Sequence, residues 1–370
     1  MGREDKNIFR KGLAELTPYI PGKPVEEVRR ELGLKGRIVR LASNENPIGP
    51  SPKAVARMKE VLGEINFYPD GGCFELRAAL AEKHALAPGH FVFGNGVDNL
   101  IPLAVNTFVN SGDEVIIPTP SFAAYRTSTV VAGGMPVAVP LKNFQLHGED
   151  IYRAVSPKTK MIFICNPNNP TGTIMPAGDL KKLMAALPPS VVVVMDEAYY
   201  EYVDHPGYPD SLAHLKRNEN VVIFRTFSKI YGLAGLRLGY GMARPDYVNA
   251  MEKIREPFAA NRVVQAGALE ALADQAHTQQ VKDAHGRGKQ VLCQGLSDLN
   301  INFIPTEANF LFADLGVDME LLFPTLLKNG VIIRPGTAWG YPTFARITIG
   351  TPDENQFFLD QLAIVLKEWR

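Results

Sequence analysis

The feature that most constrains the fold is a regular alternation of short apolar segments with helix-like segments between residues 91 and 243. Such alternation predicts a mostly parallel sheet with helices on both of its faces. The segments are apolar at nearly every position, as expected of strands that are buried on both sides. The seven predicted strands cover residues 91–93, 115–117, 136–139, 161–165, 191–195, 221–224 and 238–242.

The pattern changes after residue 260, where a long helical stretch over 262–296 precedes short apolar segments over 309–313, 331–334 and 345–349. A closing helix is predicted near 354–368, so this part reads as a smaller α+β domain. The N-terminal residues show few periodic apolar positions, and we expect an arm that lies across another surface. The sequence therefore predicts an arm over 1–45, a large α/β domain over 46–260 and a small α+β domain over 261–370.

Composition argues against several classes of protein. The 39 basic and 39 acidic side chains balance, whereas a nucleic-acid binder normally carries a basic face. No apolar run approaches the roughly 18 residues that cross a bilayer, and the N-terminus lacks the apolar core of a signal peptide. Cys73, Cys165 and Cys293 are few and widely spaced, which favours a reducing compartment over a disulfide framework or zinc site. We expect a cytoplasmic protein that binds neither nucleic acid nor a membrane.

Polar residues follow several predicted strands, at the edge of a parallel sheet where ligands bind. Gly96 and Val97 open a helix after the first strand, and free N–H groups at such a helix start bind anions. Asn169 lies between two prolines in a segment that is also typical of a tight turn. Asp196 ends a buried strand, where a carboxylate is costly unless a cation meets it or it caps a helix.

Thr226, Ser228 and Lys229 follow the strand at 221–224, and Arg237 comes eight residues after the lysine. Alone, such a segment is typical of a surface loop, but its place at the same sheet edge favours one common site. No other catalytic set competes with it. The seven histidines show no metal-ligand spacing, and the nucleophile-elbow, P-loop and dinucleotide-binding motifs are missing.

Four ordered motifs resemble those of the fold-type-I pyridoxal-phosphate-dependent aminotransferases: NPTG at 169–172, DEAYYEY at 196–202, TFSK at 226–229 and GLAGLRLGYG at 232–241. The resemblance covers nearly the whole chain and implies a large domain with a mostly parallel sheet and a smaller α+β domain. Further segments are similar to those of the histidinol-phosphate aminotransferases: LTPYIPGKP at 16–24, LASNENPIGPSP at 41–52, YPDGG at 68–72 and RITIGT at 346–351. This resemblance implies amino transfer between L-histidinol phosphate or imidazole-acetol phosphate and 2-oxoglutarate or glutamate in histidine biosynthesis.

The resemblance also implies roles for the residues that convert the substrate. Lys229 would hold pyridoxal phosphate as a Schiff base and move the substrate proton. Asp196 would pair with the pyridine nitrogen, while Asn169 and Tyr199 would donate hydrogen bonds to the 3′ oxygen of the cofactor. Phe122 would stack on the pyridine ring, and it lacks the hydroxyl that a tyrosine would bring.

Binding of the two anionic groups is implied in the same way. The cofactor phosphate would bind the main chain of Gly96 and Val97 and the side chains of Thr226, Ser228 and Arg237. Val97 and Asn99 depart from the residues that many relatives have there, and Val97 offers no hydroxyl. Tyr68 would reach the phosphate of the other subunit, which implies an obligate homodimer with shared active sites. The substrate anions would bind Arg334 and Arg346, with Tyr19 and Asn46 nearby.

Other activities on this fold remain open at the level of sequence. An aromatic amino-acid (phenylalanine or tyrosine) aminotransferase would depend less on Arg334, and a threonine-phosphate decarboxylase also binds a phosphorylated substrate. The LTPY and NENP segments favour histidinol phosphate. A pyridoxal-phosphate-binding regulatory protein would need a DNA-binding region for which the chain leaves no room, and a nucleotide-binding α/β protein would show no cofactor absorbance.

Overall fold

The computed structural model describes residues 8–18 and 22–368 of the 370-residue chain. Thirteen strands and thirteen α-helices lie within these ranges. The strands are β1 (Val39–Arg40), β2 (Phe91–Gly94), β3 (Glu114–Thr119), β4 (Met135–Pro140), β5 (Thr159–Cys165), β6 (Val192–Asp196), β7 (Val221–Thr226), β8 (Gly239–Met242), β9 (Asn302–Ile304), β10 (Phe310–Asp314), β11 (Val331–Ile332), β12 (Arg334–Pro335) and β13 (Phe344–Thr348). The helices are α1 (Val25–Leu32), α2 (Pro52–Val61), α3 (Phe74–His84), α4 (Val97–Phe108), α5 (Ala123–Ala132), α6 (Gly148–Arg153), α7 (Ala177–Ala186), α8 (Ser211–Lys216), α9 (Pro245–Glu252), α10 (Arg262–Ala273), α11 (Gln275–Asp298), α12 (Met319–Lys328) and α13 (Pro352–Lys367).

Seven strands form the central sheet in the order β2-β8-β7-β6-β5-β3-β4. Strands β3 to β7 run parallel to one another, and β8 is antiparallel to both of its neighbours. Each strand corresponds to one of the seven predicted from the apolar segments, so the mostly parallel α/β sheet is confirmed. Alternate residues of β5 explain the unbroken apolar pattern, because Ile162 and Ile164 pack in one core and Met161 and Phe163 in the other.

A second, antiparallel sheet of four strands has the order β12-β13-β10-β9. Its core is closed by α12, α13 and the second half of α11, whose Leu292 and Leu296 are buried there. The two-stranded parallel pair of β1 with β11 joins the N-terminal segment to this unit. This is the smaller α+β layer that the sequence predicts. The apolar segment predicted at 331–334 is divided between the short strands β11 and β12.

The long helical stretch predicted over 262–296 is two helices rather than one. The first, α10, ends at Ala273, and the Asp274 side chain accepts a hydrogen bond from the His277 N–H at the start of α11. The side chains of α10 belong to the core of the large sheet, and the change to the second core falls within α11, between Val281 and Leu292. The predicted boundary at residue 261 therefore does not coincide with the change of core. Likewise, Val39 and Leu41 of the predicted arm pack in the core of the small unit.

The sheet register brings the candidate segments to one edge. Cys165 pairs with Asp196, and Asp196 pairs with Phe224, so β5, β6 and β7 end close to one another. The loop after β7 packs against the N-terminal segment. Gly232 in this loop has φ 69°, and a Cβ there would lie 2.6 Å from the main chain of Gly49. No helix in residues 8–18 or 22–368 combines the length and apolarity needed to cross a bilayer.

Gly232→Ala should lower the free energy of unfolding by about 2–4 kcal/mol, because the left-handed backbone and the collision with Gly49 both disfavour a side chain. Gly316→Ala is the matched control. Gly316 has φ 72° with no atom within 4 Å of an added Cβ, so it should cost only about 1 kcal/mol. Urea unfolding of both variants measures the difference. Equal losses of unfolding free energy would mean that the main chain near Gly49 shifts to accommodate the added methyl group at no measurable cost.

Candidate active site

A cavity of about 590 Å³ lies beyond the carboxyl ends of β5, β6 and β7. The structure brings ten of the predicted site residues into its wall. They are Val97, Phe122, Asn169, Asp196, Tyr199, Thr226, Ser228, Lys229, Arg237 and Arg346. The position agrees with the general placement of ligand sites on parallel sheets.

Asp196 is the last residue of β6 and is almost completely buried. The Tyr125 hydroxyl donates a hydrogen bond to Oδ2 at 2.7 Å, and the Ala198 N–H donates one to Oδ1 at 3.2 Å. Burial raises the pKa of the Asp196 carboxyl to about 6, although both hydrogen bonds oppose this rise. Both donors are neutral, and no ion pair with Asp196 occurs in the described ranges. A cationic ligand nitrogen at this carboxylate would therefore be stabilising.

Lys229 follows β7 and directs its amine into the cavity. Nζ donates a hydrogen bond to the main-chain oxygen of Ser43 at 3.1 Å and lies 5.6 Å from the ring centroid of Tyr199. Burial, aided by the positive charge of Arg346, lowers the pKa of Lys229 to about 8. A lysine with such a pKa has a much larger unprotonated fraction near neutral pH than an ordinary lysine, as a nucleophile or general base requires.

Asn169, Arg346 and Tyr199 form hydrogen bonds within the cavity wall and with the N-terminal segment. Asn169 Oδ1 accepts a hydrogen bond from Arg346 Nη1 at 2.7 Å, and Arg346 Nη2 donates one to the main-chain oxygen of Ala42 at 2.6 Å. Tyr199 is buried, and its Oη accepts a hydrogen bond from Asn44 Nδ2 at 3.0 Å. Burial raises the pKa of Tyr199 above its ordinary value, so the phenol keeps its proton and can donate it in a hydrogen bond.

The start of α4 brings together groups that suit an anion. Gly96 has φ 78°, and a Cβ there would collide with Arg237 Nη2. The Arg237 guanidinium donates to Asp98 Oδ2 at 2.9 Å and to Ser228 Oγ at 3.5 Å. Free N–H groups of a helix start, a guanidinium and a hydroxyl together suit a phosphate. The Thr226 hydroxyl lies beside them but donates to the Leu238 main-chain oxygen at 3.3 Å.

Phe122 forms one wall of the cavity at the residue before α5. Its ring packs edge-to-face on Tyr125, with ring centroids 5.8 Å apart and an interplanar angle of 84°. Tyr125 in turn stacks on Phe163 of β5 at a centroid distance of 4.4 Å. This packing fixes the Phe122 ring, so its face can receive a flat aromatic ligand.

Five predicted site residues are not in the described cavity wall, and one of them, Gly96, directly precedes the lining residue Val97. Asn46 Nδ2 donates a hydrogen bond to the Ile230 main-chain oxygen at 3.0 Å. This bond links the N-terminal segment to the loop that carries Lys229. Arg334 of β12 lies directly opposite Arg346 of β13, with its guanidinium 6.0 Å from the Trp339 ring centroid. Tyr68 is 78% exposed and stacks on Phe258. Tyr19 lies outside the residues that the structure describes.

Sequence reasoning missed several residues at the cavity. Tyr125 binds Asp196 and comes three residues after Phe122, a spacing that places two residues on one face of a helix. Asn44 binds Tyr199 and lies two residues before Asn46, in the same motif. Cys165 ends β5 and lines the cavity beside Asp196. Of these residues, only Tyr125 could have been predicted from sequence spacing, because it lies three residues after Phe122.

Comparisons with known proteins agree with this geometry. The family model described as aminotransferase class I and II matches residues 37–362. The histidinol-phosphate aminotransferase of Moorella thermoacetica is 44% identical over 96% of this chain and 92% of that protein. The histidinol-phosphate aminotransferase of Caldicellulosiruptor saccharolyticus is 40% identical over 97% of this chain and its own full length. The chain belongs to the class I and II aminotransferases, within the histidinol-phosphate aminotransferase family.

A solved structure supports the fold of this aminotransferase. The histidinol-phosphate aminotransferase of Sinorhizobium meliloti in complex with pyridoxal-5'-phosphate matches with a TM-score of 0.89 and 27% identity, over the full length of both chains. Aspartate aminotransferase of Thermus thermophilus, at 22% identity and a TM-score of 0.83, shares the fold. The fold-type-I architecture expected from the sequence motifs is confirmed.

Pyridoxal phosphate is the cofactor of this aminotransferase, and the cavity residues fit it. The buried carboxylate of Asp196, which has only neutral donors, suits a protonated pyridine nitrogen. The start of α4 with Arg237 suits the phosphate, and the left-handed Gly96 leaves room for that guanidinium. The Lys229 amine, with its lowered pKa, suits the aldehyde.

Asp196→Asn should stabilise the cofactor-free aminotransferase at about pH 8 by about 1–3 kcal/mol. The folded state raises the carboxyl pKa from 3.8 to about 6, so the folded protein loses stability as the pH rises through this interval and does not regain it above. The amide carries no charge and has no such loss. Urea unfolding as a function of pH measures the difference between variant and parent.

The gain for Asp196→Asn should shrink as the pH falls below about 6, because the native carboxyl then becomes neutral. Glu26→Gln, at an exposed carboxylate of α1, serves as control and should show no gain of this kind. A variant less stable than the parent at every pH would mean that the hydrogen bonds of the carboxylate outweigh the cost of its burial.

Proposed function

We propose that this aminotransferase exchanges an amino group between L-histidinol phosphate and 2-oxoglutarate in histidine biosynthesis. The observation that carries the proposal is a pair of arginines on adjacent strands: Arg346 lines the cavity, and Arg334 lies directly opposite it on the neighbouring strand. Histidinol phosphate has a phosphate ester where an amino acid has its α-carboxylate, so one site must accept both anions. An arginine fork binds either anion bidentately. The relatives with 40–44% identity carry the corresponding name.

Four side chains of the cavity have separate roles in the proposed transfer. When bound, pyridoxal phosphate acts as an electron sink that makes the carbon bearing the amino group more acidic. The Lys229 amine would take the proton from this carbon and deliver it to the cofactor, and it would carry a proton in the opposite direction in the second half-reaction. Asp196 holds a proton on the ring nitrogen by its charge, while Asn169 and Tyr199 donate hydrogen bonds to the ring oxygen.

The arginine that enters the cavity is held in a fixed orientation. The Arg346 guanidinium lies 5.4 Å from the Phe310 ring centroid and 5.5 Å from that of Trp339. Trp339 is itself anchored, because its Nε1 donates to the Ser121 main-chain oxygen at 3.2 Å. A guanidinium held between aromatic rings loses little freedom when it binds an anion. We propose that Arg346 binds the substrate anion in both halves of the reaction and that Arg334 adds charge for the phosphate.

The purified holoenzyme should convert to its amino form rapidly with L-histidinol phosphate and much more slowly with phenylalanine, tyrosine or threonine phosphate, because only the first presents both imidazole and phosphate. Absorbance of the bound cofactor measures each half-reaction separately. Lys229→Ala should slow the conversion by about 1,000-fold or more, since the proton carrier is lost. Arg29→Ala, at an exposed residue of α1, is the control and should leave the rate unchanged.

Two outcomes would contradict the proposal in different ways. Equal rates with aromatic amino acids would make the protein a broad aromatic aminotransferase. Release of carbon dioxide from threonine phosphate would make it a decarboxylase of the same fold.

We further propose that the enzyme is a homodimer with shared active sites. Six large apolar side chains in two neighbouring segments are exposed in the single chain, and Tyr68 among them stacks on Phe258 with ring centroids 4.4 Å apart. An exposed apolar patch of this kind is typical of an interface. The side chains are Leu62, Ile65, Phe67, Tyr68, Phe74 and Phe258. Tyr68 would then bind the cofactor phosphate of the partner subunit.

Mixing Lys229→Ala chains with Tyr68→Ala chains should restore activity that neither variant has alone. In the mixed dimer one site receives the intact Lys229 from one chain and the intact Tyr68 from the other, while the second site has neither. Activity after refolding the variants together, compared with each refolded alone, measures this recovery. No recovery in a mixed dimer, isolated through different affinity tags on the two variants, would mean that Tyr68 serves its own subunit.

We also propose that the enzyme works in the cytoplasm. Cys73 and Cys165 are buried and unpaired, and Cys293 is partly buried and unpaired as well. Burial raises the pKa of the Cys73 thiol to about 11 and that of Cys165 to about 12, which keeps both thiols protonated and unreactive. Free cysteines of this kind are typical of proteins from a reducing compartment.

A further inference from the structure

Three consecutive residues of the N-terminal segment contact three side chains of the active site. Two of these contacts use main-chain oxygens, which any residue would supply. The third uses a side chain and therefore depends on the identity of the residue. The contacts are Ala42 O with Arg346 Nη2 at 2.6 Å, Ser43 O with Lys229 Nζ at 3.1 Å, and Asn44 Nδ2 with Tyr199 Oη at 3.0 Å.

The orientation of the Asn44 amide is fixed by Thr348 of the small sheet. The Thr348 hydroxyl accepts a hydrogen bond from the Asn44 main-chain N–H at 2.9 Å, so its own hydrogen is available for Asn44 Oδ1, which lies at 3.2 Å. The amide oxygen therefore faces Thr348, and the amide nitrogen faces Tyr199. The nitrogen is a donor only, so the Tyr199 oxygen must act as the acceptor in this contact.

The backbone at this position also requires a particular residue. Asn44 has φ 55°, in the left-handed region that asparagine and glycine tolerate best. The main-chain oxygen of Asn44 accepts a hydrogen bond from Asn309 Nδ2 at 3.0 Å, and Asn44 itself is 1% exposed. Leu41 just before it donates its N–H to the Ile332 oxygen at 2.7 Å. The segment is thus attached to the small unit at Leu41 and at Asn44.

We propose that Asn44 is a positioning residue that directs the hydroxyl hydrogen of Tyr199 into the cavity and links this hydroxyl to the small sheet. The phenol has one hydrogen, and because its oxygen accepts from Asn44, the hydrogen is free for a ligand oxygen. A donor on the phenol oxygen also makes the phenol a stronger donor in turn, as in other chains of hydrogen bonds. The inference rests on the proposed function, in which Tyr199 binds the ring oxygen of the cofactor.

The loss of the Asn44 amide hydrogen should be visible in the bound cofactor. A weaker hydrogen bond from Tyr199 leaves the ring oxygen more basic, so the chromophore keeps its proton to a higher pH. Asn44→Asp keeps the size and the tolerance of the left-handed backbone but replaces the N–H donor by a carboxylate oxygen. Asn44→Gly keeps the backbone conformation and removes the side chain altogether.

The experiment is a spectroscopic pH titration of the holoenzyme and its variants. Asn44→Asp and Asn44→Gly should both raise the midpoint of the absorbance change by about half a pH unit or more, with a larger effect on kcat than on KM. Thr348→Val, which removes the hydroxyl that orients the amide, should move the midpoint in the same direction, and Thr348→Ser should restore it.

Two controls separate positioning from folding. Asn300 has a similar backbone, φ 55°, at an exposed position after α11, so Asn300→Gly and Asn300→Asp should leave the midpoint unchanged. Tyr199→Phe is the reference for complete loss of the hydroxyl. If Tyr199→Phe moves the midpoint but both Asn44 variants do not, the inference is overturned. If Tyr199→Phe itself has no effect, the role proposed for Tyr199 is wrong.

Discussion

The cost of burying a carboxylate at the end of a central strand governs the arrangement of the site. Asp196 and Glu197 are adjacent and both buried, but they face opposite sides of the sheet, as successive strand residues do. Glu197 Oε2 accepts two hydrogen bonds from Arg225 of β7, at 2.9 and 2.8 Å, and that guanidinium lies 3.5 Å from the Tyr200 ring centroid. Glu197 is therefore compensated within the chain, whereas Asp196 receives only neutral donors. This difference leaves the Asp196 carboxylate without a charged partner among the described residues, as a site for a cationic ligand nitrogen requires.

The same alternation operates on the neighbouring strand. Arg225 faces Glu197, and the next residue, Thr226, faces the cavity and lines it. The ends of β6 and β7 thus place the buried ion pair of Arg225 and Glu197 on the face of the sheet away from the cavity. The Asp196 carboxylate and the Thr226 hydroxyl lie on the face that lines the cavity. Breaking a buried ion pair leaves an uncompensated charge, so the pair holds the ends of β6 and β7 in register. The geometry of the cavity floor depends on that register.

The sequence predicts the central sheet and most of the cavity wall because both follow from local rules. Strands buried on two faces are apolar throughout, and ligand residues come directly after them. The sequence does not separate helix α10 from α11, because no proline or glycine lies between Ala273 and Val281, and the burial of α10 in the large core depends on contacts distant in sequence. The family resemblance implies a role for Asn46 and none for Asn44. The structure places Asn44 at the cavity, because its left-handed backbone turns that side chain toward Tyr199.

The small unit contributes two side chains near the site, Arg346 and Thr348, and both contact the N-terminal segment, at Ala42 and Asn44. Strand β13 places Arg346 in the cavity, where it contacts Asn169, and also places Thr348 against Asn44. Arg346 and Thr348 are two residues apart and point to the same face of the strand. A shift of β13 would therefore move the Arg346 guanidinium and the support of Tyr199 together. One strand thus carries both the guanidinium that we propose for the substrate anion and the support of the hydroxyl that we propose for the cofactor.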